Sequence, residues 1–516
     1  MRTSASRIII NTGILYGRML LTVGVSLYTT RLILNVLGST DFGIFNLIAG
    51  VIAMLAFLNN AMATATQRFL SFYQGKDDLP MQKKVFTNSL NLHIIIGIVI
   101  CILLELAGLF LFDGFLNIPQ ERMAAAQTVY HWMVLSVFFT VLTVPFTGSL
   151  VAHENMLWVA IAGILEVLLK FGLALYLYVV AFDKLIIYAI GMAAVNGLSL
   201  VFYTVYCFRK YNECTLEGLL RPDIKLTKEL SSFTGWNLFG ALCGLGRTQG
   251  IAIILNLFFG TMINAAYGIA NQVSSQLNFF SSTMLRAINP QIMKSEGAGD
   301  RQRMLRLSMT ASKFGFFLFA IFAIPCIFEM DAILTLWLKT VPDKTVIFCQ
   351  LILIGTLINQ LTIGLQSAIQ ATGKIKVYQA VVGSIVLFNL PVAYLLLKMG
   401  HAASAVMYSF MAIELIACAF RIYFLHKIAG MSVKEYCERV FLKELGPLVV
   451  LVGICMVMAR NSILPYGFVM TFITAFPLAM ASIYIMGLDA SEKNMVSGYY
   501  ARIKHKVQWK KTGNFR

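Results

Sequence analysis

Charged residues are scarce in this sequence: they make up 13% of its 516 residues, against about 25% in an average soluble domain. With 58% hydrophobic residues and a mean hydropathy of +0.76, that scarcity excludes a water-soluble fold. Cysteine pairing is missing too. The nine cysteines include no C-x-x-C pair, and most fall inside apolar segments, where cysteine behaves as a small hydrophobe, so neither a disulfide framework nor a zinc site is indicated. No G-x-x-x-x-G-K-[ST] loop occurs, which removes ATP as the direct energy source. The longest external connection, Glu329 to Lys344, is too short to house a catalytic domain. The expectation is therefore a protein that is not an enzyme and needs no cofactor beyond a coupling ion, Na+ or H+.

What the sequence does have is apolar runs, from end to end, each long enough to cross a hydrocarbon layer about 30 Å thick. Reading runs bounded by charges predicts helices at Ile8–Leu34, Phe42–Thr66, Val85–Phe112, Ala124–Leu150, Met156–Phe182 and Leu185–Phe208. A second set follows at Ser232–Leu255, Thr261–Ala287, Met304–Phe328, Thr345–Thr372, Val377–Leu397 and Ala402–Leu425, with a final pair at Leu445–Ala459 and Tyr466–Gly487. The first run continues well past the length of a signal peptide and reads as a retained spanning helix.

The formal net charge of +17 would suggest nucleic-acid binding in a soluble protein. Here Lys and Arg gather in alternate loops, which instead sets membrane orientation. Arg2, Arg7, Arg68, Lys76, Lys83, Lys84, Arg209, Lys210, Arg286, Lys294, Arg301, Arg303, Lys313, Arg421, Lys427 and the tail from Lys493 to Arg516 fall on one side. Only Arg122, Lys184, Lys339, Lys344, Lys398 and Arg460 fall on the other, so both termini are expected in the cytoplasm. Within one cytoplasmic connection, the capping-box pattern Ser432-Val433-Lys434-Glu435, followed by Tyr436, Val440 and Phe441, predicts a short amphipathic helix on the inner membrane face.

An internal repeat appears at a shift of about 222 residues. Ile33-Leu34-Asn35-Val36-Leu37-Gly38 with Gly43-Ile44 answers to Ile254-Leu255-Asn256-Leu257-Phe258-Phe259-Gly260 with Gly268-Ile269. Thr12-Gly13 matches Thr234-Gly235, and Gly75-Lys76-Asp77-Asp78 falls on Gly297-Ala298-Gly299-Asp300. Six helices separate the copies, so the halves share one orientation.

These residues carry a resemblance. The opening Asn11-Thr12-Gly13 with Arg18, the run from Arg31 through Ser39-Thr40-Asp41-Phe42-Gly43-Ile44, and Asn289-Pro290-Gln291-Ile292-Met293-Lys294 leading to Gly299-Asp300 are similar to Wzx-type polysaccharide flippases of the multidrug/oligosaccharidyl-lipid/polysaccharide exporter superfamily. The resemblance implies an all-α polytopic membrane protein of about fourteen transmembrane helices, with two pseudo-symmetric six-helix lobes in a V and two appended helices. The expected organisation is an N-lobe over 1–208, a cytoplasmic linker over 209–231, a C-lobe over 232–425, an interfacial helix with helices thirteen and fourteen over 426–487, and a basic tail over 488–516. It further implies alternating access driven by an ion gradient or the membrane potential. The cargo would be a polyprenyl-pyrophosphate-linked oligosaccharide bound for the periplasmic leaflet of a bacterial inner membrane, with a polysaccharide polymerase or other assembly proteins as partners.

An ionisable group at hydrocarbon depth costs a few kcal/mol even on lenient scales, so it is a functional candidate. The cations are Arg18, Arg31, Lys170 and Arg247; the acids are Glu105, Glu166 and Glu414. Arg18 sits eleven residues past Arg7, about 16 Å further along the helix. Arg18 and Arg247, one on the first helix of each half, are the candidates to engage a pyrophosphate, with Arg31 and Lys170 assisting. Glu166, four residues before Lys170, offers the alternative of simple neutralisation, and Arg31 could snorkel to the interface. Glu105, Glu166 and Glu414 are candidates for ion coupling, although Arg421 is placed to pair with Glu414. His93 and His131 read as packed rather than as proton relays. Polar stripes for a sugar run along Asn264, Asn271, Ser275, Asn278 and Ser282, and along Thr356, Asn359, Gln360, Gln366 and Gln370, with interhelical packing the competing reading. Trp337 and Tyr466 read as interfacial anchors.

Three alternatives stand beside the flippase reading. A drug/cation antiporter needs exposed carboxylates, a lipid II flippase performs the same physical act, and a membrane polysaccharide polymerase or ligase needs a sizeable external loop.

Overall fold

A computed structural model describes residues 4–53, 56–115, 118–219, 221–461, 467–490 and 492–494; Arg2, Tyr466 and the tail beyond Asn494 lie outside them. The described residues are almost entirely helical: α1 (Ser4–Ala53), α2 (Ala56–Gly75), α3 (Leu79–Phe110), α4 (Met123–Ala152), α5 (Met156–Tyr176), α6 (Lys184–Lys210), α7 (Ile224–Gly297), α8 (Arg301–Phe328), α9 (Met330–Leu338), α10 (Thr345–Gln360), α11 (Ile363–Thr372), α12 (Lys376–Lys398), α13 (Ser404–Ala429), α14 (Val433–Tyr436), α15 (Leu442–Asn461) and α16 (Gly467–Ser482). Among the described residues eleven helices are long and apolar enough to cross a membrane, or twelve if the bent pair α10 and α11 counts as one span. That tally treats α1 and α7 as single elements, yet each is two helices joined at one non-helical glycine. Every one of the fourteen predicted segments therefore has a helical counterpart among the described residues.

The joining glycines show the repeat in the backbone. Gly38 has φ 74° and ψ 172°, and Gly260 has φ 77° and ψ −168°. Positive φ with ψ near 180° is open essentially to glycine alone. The second matched loop repeats as closely. Asp77 and Gly299 both have positive φ, and the next residue caps the following helix in each copy: Asp78 accepts from the Met81 N–H and Asp300 from the Arg303 N–H, both at 3.0 Å. All these pairs are 222 residues apart.

The chain divides into two compact units. The first is Ile10–Leu238 with Met293–Gly299. Its core gathers Ile33, Phe45, Ile48, Tyr130, Val141 and Leu185. The stretch predicted as a linker over 209–231 packs within it, since Thr87 Oγ1 lies 3.3 Å from the Glu217 carbonyl and Thr227 Oγ1 donates to Asn88 Oδ1 at 2.7 Å. Arg122, counted by sequence among the six cations of the opposite side, ties three helix ends together. It donates to Asp41 at 2.7 and 2.8 Å and to Asp183 at 2.6 and 3.0 Å. Asp183 also caps α6 through Leu185 and Ile186. The Arg122 hydrogen bond holds the Asp183 carboxyl below the usual carboxylate range.

The second unit is Met1–Ile9, Phe239–Ile292 and Asp300–Arg516. Its core draws Leu255, Ala270, Phe319, Phe348 and Val406 together with Cys455 of α15 and Ala475 of α16, so the last two helices pack here. The predicted single helix Thr345–Thr372 is broken, with α10 and α11 bent by 42°. At the break the Leu361 carbonyl is free of its helical donor, because the Leu365 N–H bonds Thr362 instead, and it accepts from the Tyr436 hydroxyl at 2.5 Å.

That contact also corrects the interfacial-helix expectation. Ser432 does cap, accepting from the Glu435 N–H at 3.2 Å. Tyr436 and Val440 are nevertheless fully buried in this unit, because a π-turn at Cys437–Phe441 carries the segment straight into α15. The connection from Glu329 to Lys344 likewise contains a helix, α9 (Met330–Leu338), that hydropathy did not resolve.

Two outcomes follow. Gly38→Ala and Gly260→Ala should each cost about 1–3 kcal/mol of strain and lower the midpoint of thermal unfolding in detergent. Gly43→Ala, at a helical position with open space around it, should not lower it. The Asp183 carboxyl is depressed in the native state, so its contribution is fully present above the ordinary carboxylate value of about 3.9 and fades only as pH falls through the lower native value. The difference in unfolding midpoint between wild type and Asp183→Asn should thus be flat near neutral pH and shrink only below about pH 4.

Candidate functional site: charged groups within each helical unit

In the first unit, α1 presents Arg18 toward α5. The guanidinium lies directly over Gly163, so closely that a Cβ there would collide with Cζ, Nε and Nη2. The glycine is thus a notch for the side chain. Arg18 is half-buried and has no ion pair or hydrogen bond among the described residues. Arg31, further along α1, is exposed. Lys170, proposed from sequence as a second ligand, is instead bound to Glu166 at 2.6 Å. The i,i+4 spacing that made neutralisation the alternative reading is realised, and it also occupies Glu166 as a coupling candidate. Glu105 pairs with His131 at 2.8 Å; His131 was expected to be packed, but its side chain is 63% exposed. His93 is packed, with Nδ1 2.6 Å from the Ser89 carbonyl.

In the second unit the central feature is Glu414 on α13, 2% exposed. It accepts from Arg247 of α7 at 2.7 Å and from Asn359 of α10 at 3.0 Å, with Arg421 two turns further along its own helix at 3.6 Å. The Arg247 guanidinium also lies 4.6 Å from the Phe410 ring centroid. Arg247 is therefore not a free cation awaiting a ligand, and Glu414 is not a free acid. Two guanidinium groups share one carboxylate, which leaves the buried trio with one net positive charge. Sequence distance pointed to the Glu414 and Arg421 pair but could not show that α7 and α10 converge on the same carboxylate.

Part of the polar stripes forms interhelical bonds, while Ser275, Asn278 and Ser282 of α7 are exposed. Gln360 is buried, accepts from Ser281 at 2.6 Å and donates to Asn278 at 2.8 Å. One helical repeat away, Ser274 meets Thr356 at 2.9 Å. Asn271 bonds back to the Tyr267 carbonyl at 2.9 Å. Gln360 and Asn271, expected to meet a sugar, are thus engaged within the protein, as polar groups inside a membrane bundle tend to be.

Sequence reading missed a second charged cluster. Lys313, counted from sequence only among the cytoplasmic-side cations although the predicted helix Met304–Phe328 contains it, is 2% exposed inside α8, where it pairs with Glu492 at 2.6 Å and lies 3.6 Å from Asp489. Glu444 of α15 is also 2% exposed, and neither carboxyl oxygen has a hydrogen-bond partner. The available signal was Lys313's position, thirteen residues beyond the helix cap Asp300.

This architecture is that of the MATE transporters. A solved outward-facing structure of a multidrug resistance MATE family transporter of the MOP superfamily superposes with a TM-score of 0.71 over 83% of this chain and 97% of its own, at 14% identity. A transporter of the MOP superfamily from Pyrococcus furiosus, described as having a binding pocket of reversed polarity, gives 0.68 over the same shares at 14% identity. The MATE transporter ClbM in complex with Rb+ gives 0.70 over 84% of this chain and 96% of its own, again at 14% identity. The chain is a polytopic membrane protein with that fold, and residues 15–176 match the MatE family model. A relative from Bacillus subtilis (strain 168), the uncharacterized membrane protein EpsK, is 24% identical over 324 residues, or 62% of this chain. The match spans 63% of that relative's length.

The shared carboxylate makes an asymmetric prediction. Glu414→Ala leaves two buried guanidinium groups unmatched and should cost roughly 3–5 kcal/mol, lowering the unfolding midpoint. Arg247→Met, which leaves Glu414 with Arg421 and Asn359, should lower it less; equal losses would contradict the network.

Proposed function

We propose that the chain is a flippase that moves polyprenyl-pyrophosphate-linked oligosaccharide from the cytoplasmic to the periplasmic leaflet of a bacterial inner membrane, by alternating access, for surface polysaccharide biosynthesis. Both termini then lie in the cytoplasm, and the flipped lipid is handed to a polymerase or other assembly proteins. The observation that carries the reading is Arg18, a cation on a spanning helix, about 16 Å beyond Arg7, held in a glycine notch without a carboxylate. Leaving such a charge unmatched in a membrane is costly, and a guanidinium offers a pyrophosphate paired donors in the geometry it accepts. Arg247 and Arg421, with their one surplus charge around Glu414, supply a second, weaker attraction for an anion.

A drug/cation antiporter is the second reading, favoured by the MATE fold itself. It needs an available acid for its cargo. Of the acids singled out from the sequence, Glu166 and Glu414 are bound to cations and Glu105 to a histidine, so a cationic substrate would have to displace an internal partner. A lipid II flippase would use the same basic groups and differs only in cargo.

The test is flipping in proteoliposomes, comparing a fluorescent polyprenyl-pyrophosphate oligosaccharide, a lipid II analogue and an organic cation. The oligosaccharide lipid should move, at least tenfold more slowly with Arg18→Ala and about as slowly with Gly163→Leu, which fills the notch; Lys170→Met should change the rate less than threefold. Undiminished flipping by Arg18→Ala would remove the headgroup role. Movement of the cation alone would select the antiporter.

A further inference from the structure

Glu444 stands apart from every other acid discussed above. Its side chain is 2% exposed, and both carboxyl oxygens lack a hydrogen-bond partner. An ionised carboxylate so placed would be desolvated with no hydrogen bond in exchange, whereas a neutral acid loses far less. The groups that face it come from several elements. Lys313 of α8 and Tyr436 of α14 act on it electrostatically. The segment after α16 brings Asp489 and Glu492 to the same Lys313, and Lys443, beside Glu444, lies 3.9 Å from Asp489. Of the other elements packed against α15, α16 carries no charged residue, the turn at Cys437–Phe441 carries Cys437, Glu438 and Arg439, and the turn at Ile483–Gly487 carries Tyr484.

Two features of the backbone mark the place. The chain enters α15 through the π-turn at Cys437–Phe441 and leaves α16 through another at Ile483–Gly487. Such turns are rare and concentrate at functional sites. Glu444 follows the first, and Asp489 and Glu492 follow the second.

We propose that Glu444 is a proton-binding site and that Lys313 answers its charge, moving between Glu492 when Glu444 is protonated and Glu444 when it is not. Release breaks the Glu444 O–H bond and passes the proton to water, leaving a carboxylate. The Lys313 ammonium turns to it and gives up its 2.6 Å bond to Glu492, while Asp489 keeps Lys443. One proton leaves and the cluster's net charge falls by one. Each exchange thus alters what holds the segment after α16 to α8. Coupling of this exchange to transport rests on the flippase reading; the proton site does not.

The test is infrared difference spectroscopy of the full chain in lipid nanodiscs, titrated from about pH 5 to about pH 9. The wild type should show a protonated-carboxyl C=O band that gives way to carboxylate as pH rises, and the isosteric Glu444→Gln should lack it. In Lys313→Met the band should persist to a pH at least one unit higher. Glu492→Gln, which frees Lys313 from its present partner, should move it the other way, and this second variant serves if Lys313→Met does not fold. A wild type with no such band, or a band retained in Glu444→Gln, would overturn the site. A band indifferent to both partner variants would overturn the exchange. In proteoliposomes an imposed pH gradient should change the flipping rate at least threefold in wild type and not in Glu444→Gln; equal responses would overturn coupling. Loss of flipping with every lipid cargo in wild type would strike the flippase reading while the spectroscopic result stood.

Discussion

A charge inside a hydrocarbon layer must be matched by the protein or kept for something that arrives from outside, and that constraint organises this molecule. Lys170 is matched by Glu166, Arg247 and Arg421 by Glu414, and Lys313 by Glu492. The pairs differ in reach. The Lys170 bond is local to one helix, whereas Glu414 gathers α7, α10 and α13 and so acts as a tertiary clasp. Against that background two groups among the described residues carry the functional argument: Arg18, a cation lying over a glycine, and Glu444, an acid buried without a donor.

The repeat shows how a second constraint, backbone conformation, is written into sequence. Gly38 and Gly260 occupy a region of φ and ψ closed to residues with a side chain, and each converts what would be one very long helix into two. Asp78 and Asp300 then start the next helix with the same cap. Apolar positions between the matched turns are free to vary, because many hydrophobic side chains satisfy a lipid-facing helix surface. The turns between helices have kept Gly38 and Gly260, the capping aspartates, and a positive φ at Asp77 and Gly299, because few residues adopt those conformations or supply those bonds. Coincidences at one offset were therefore a sound guide even though they covered few positions.

The helices were legible because an apolar stretch of sufficient length has one stable solution in lipid. Breaks within helices were less so: the bend between α10 and α11 depends on Tyr436, far away in the chain, taking the Leu361 carbonyl. The stretch from Ser432 illustrates the same limit. Its cap was readable and is present, but the pattern of Tyr436 and Val440 says only that one face is apolar, and it cannot distinguish a lipid surface from a protein interior. Packing against the second unit decided for the interior.

The sequence by itself determined a helical membrane protein, its approximate spans, its internal repeat and the short inventory of charges that any mechanism must use. Those follow from hydropathy, glycine stereochemistry and capping, all of which act over a few residues. Only the tertiary structure decided which of those charges remain unmatched, since most pairing depends on side chains such as Arg247 and Glu414, 167 residues apart, or Lys313 and Glu492, 179 apart, reaching hydrogen-bonding distance. It withdrew Lys170 and Arg247 from the list of free cations, left Arg18 over Gly163, and disclosed Glu444 among residues that hydropathy had treated as the margin of a helix.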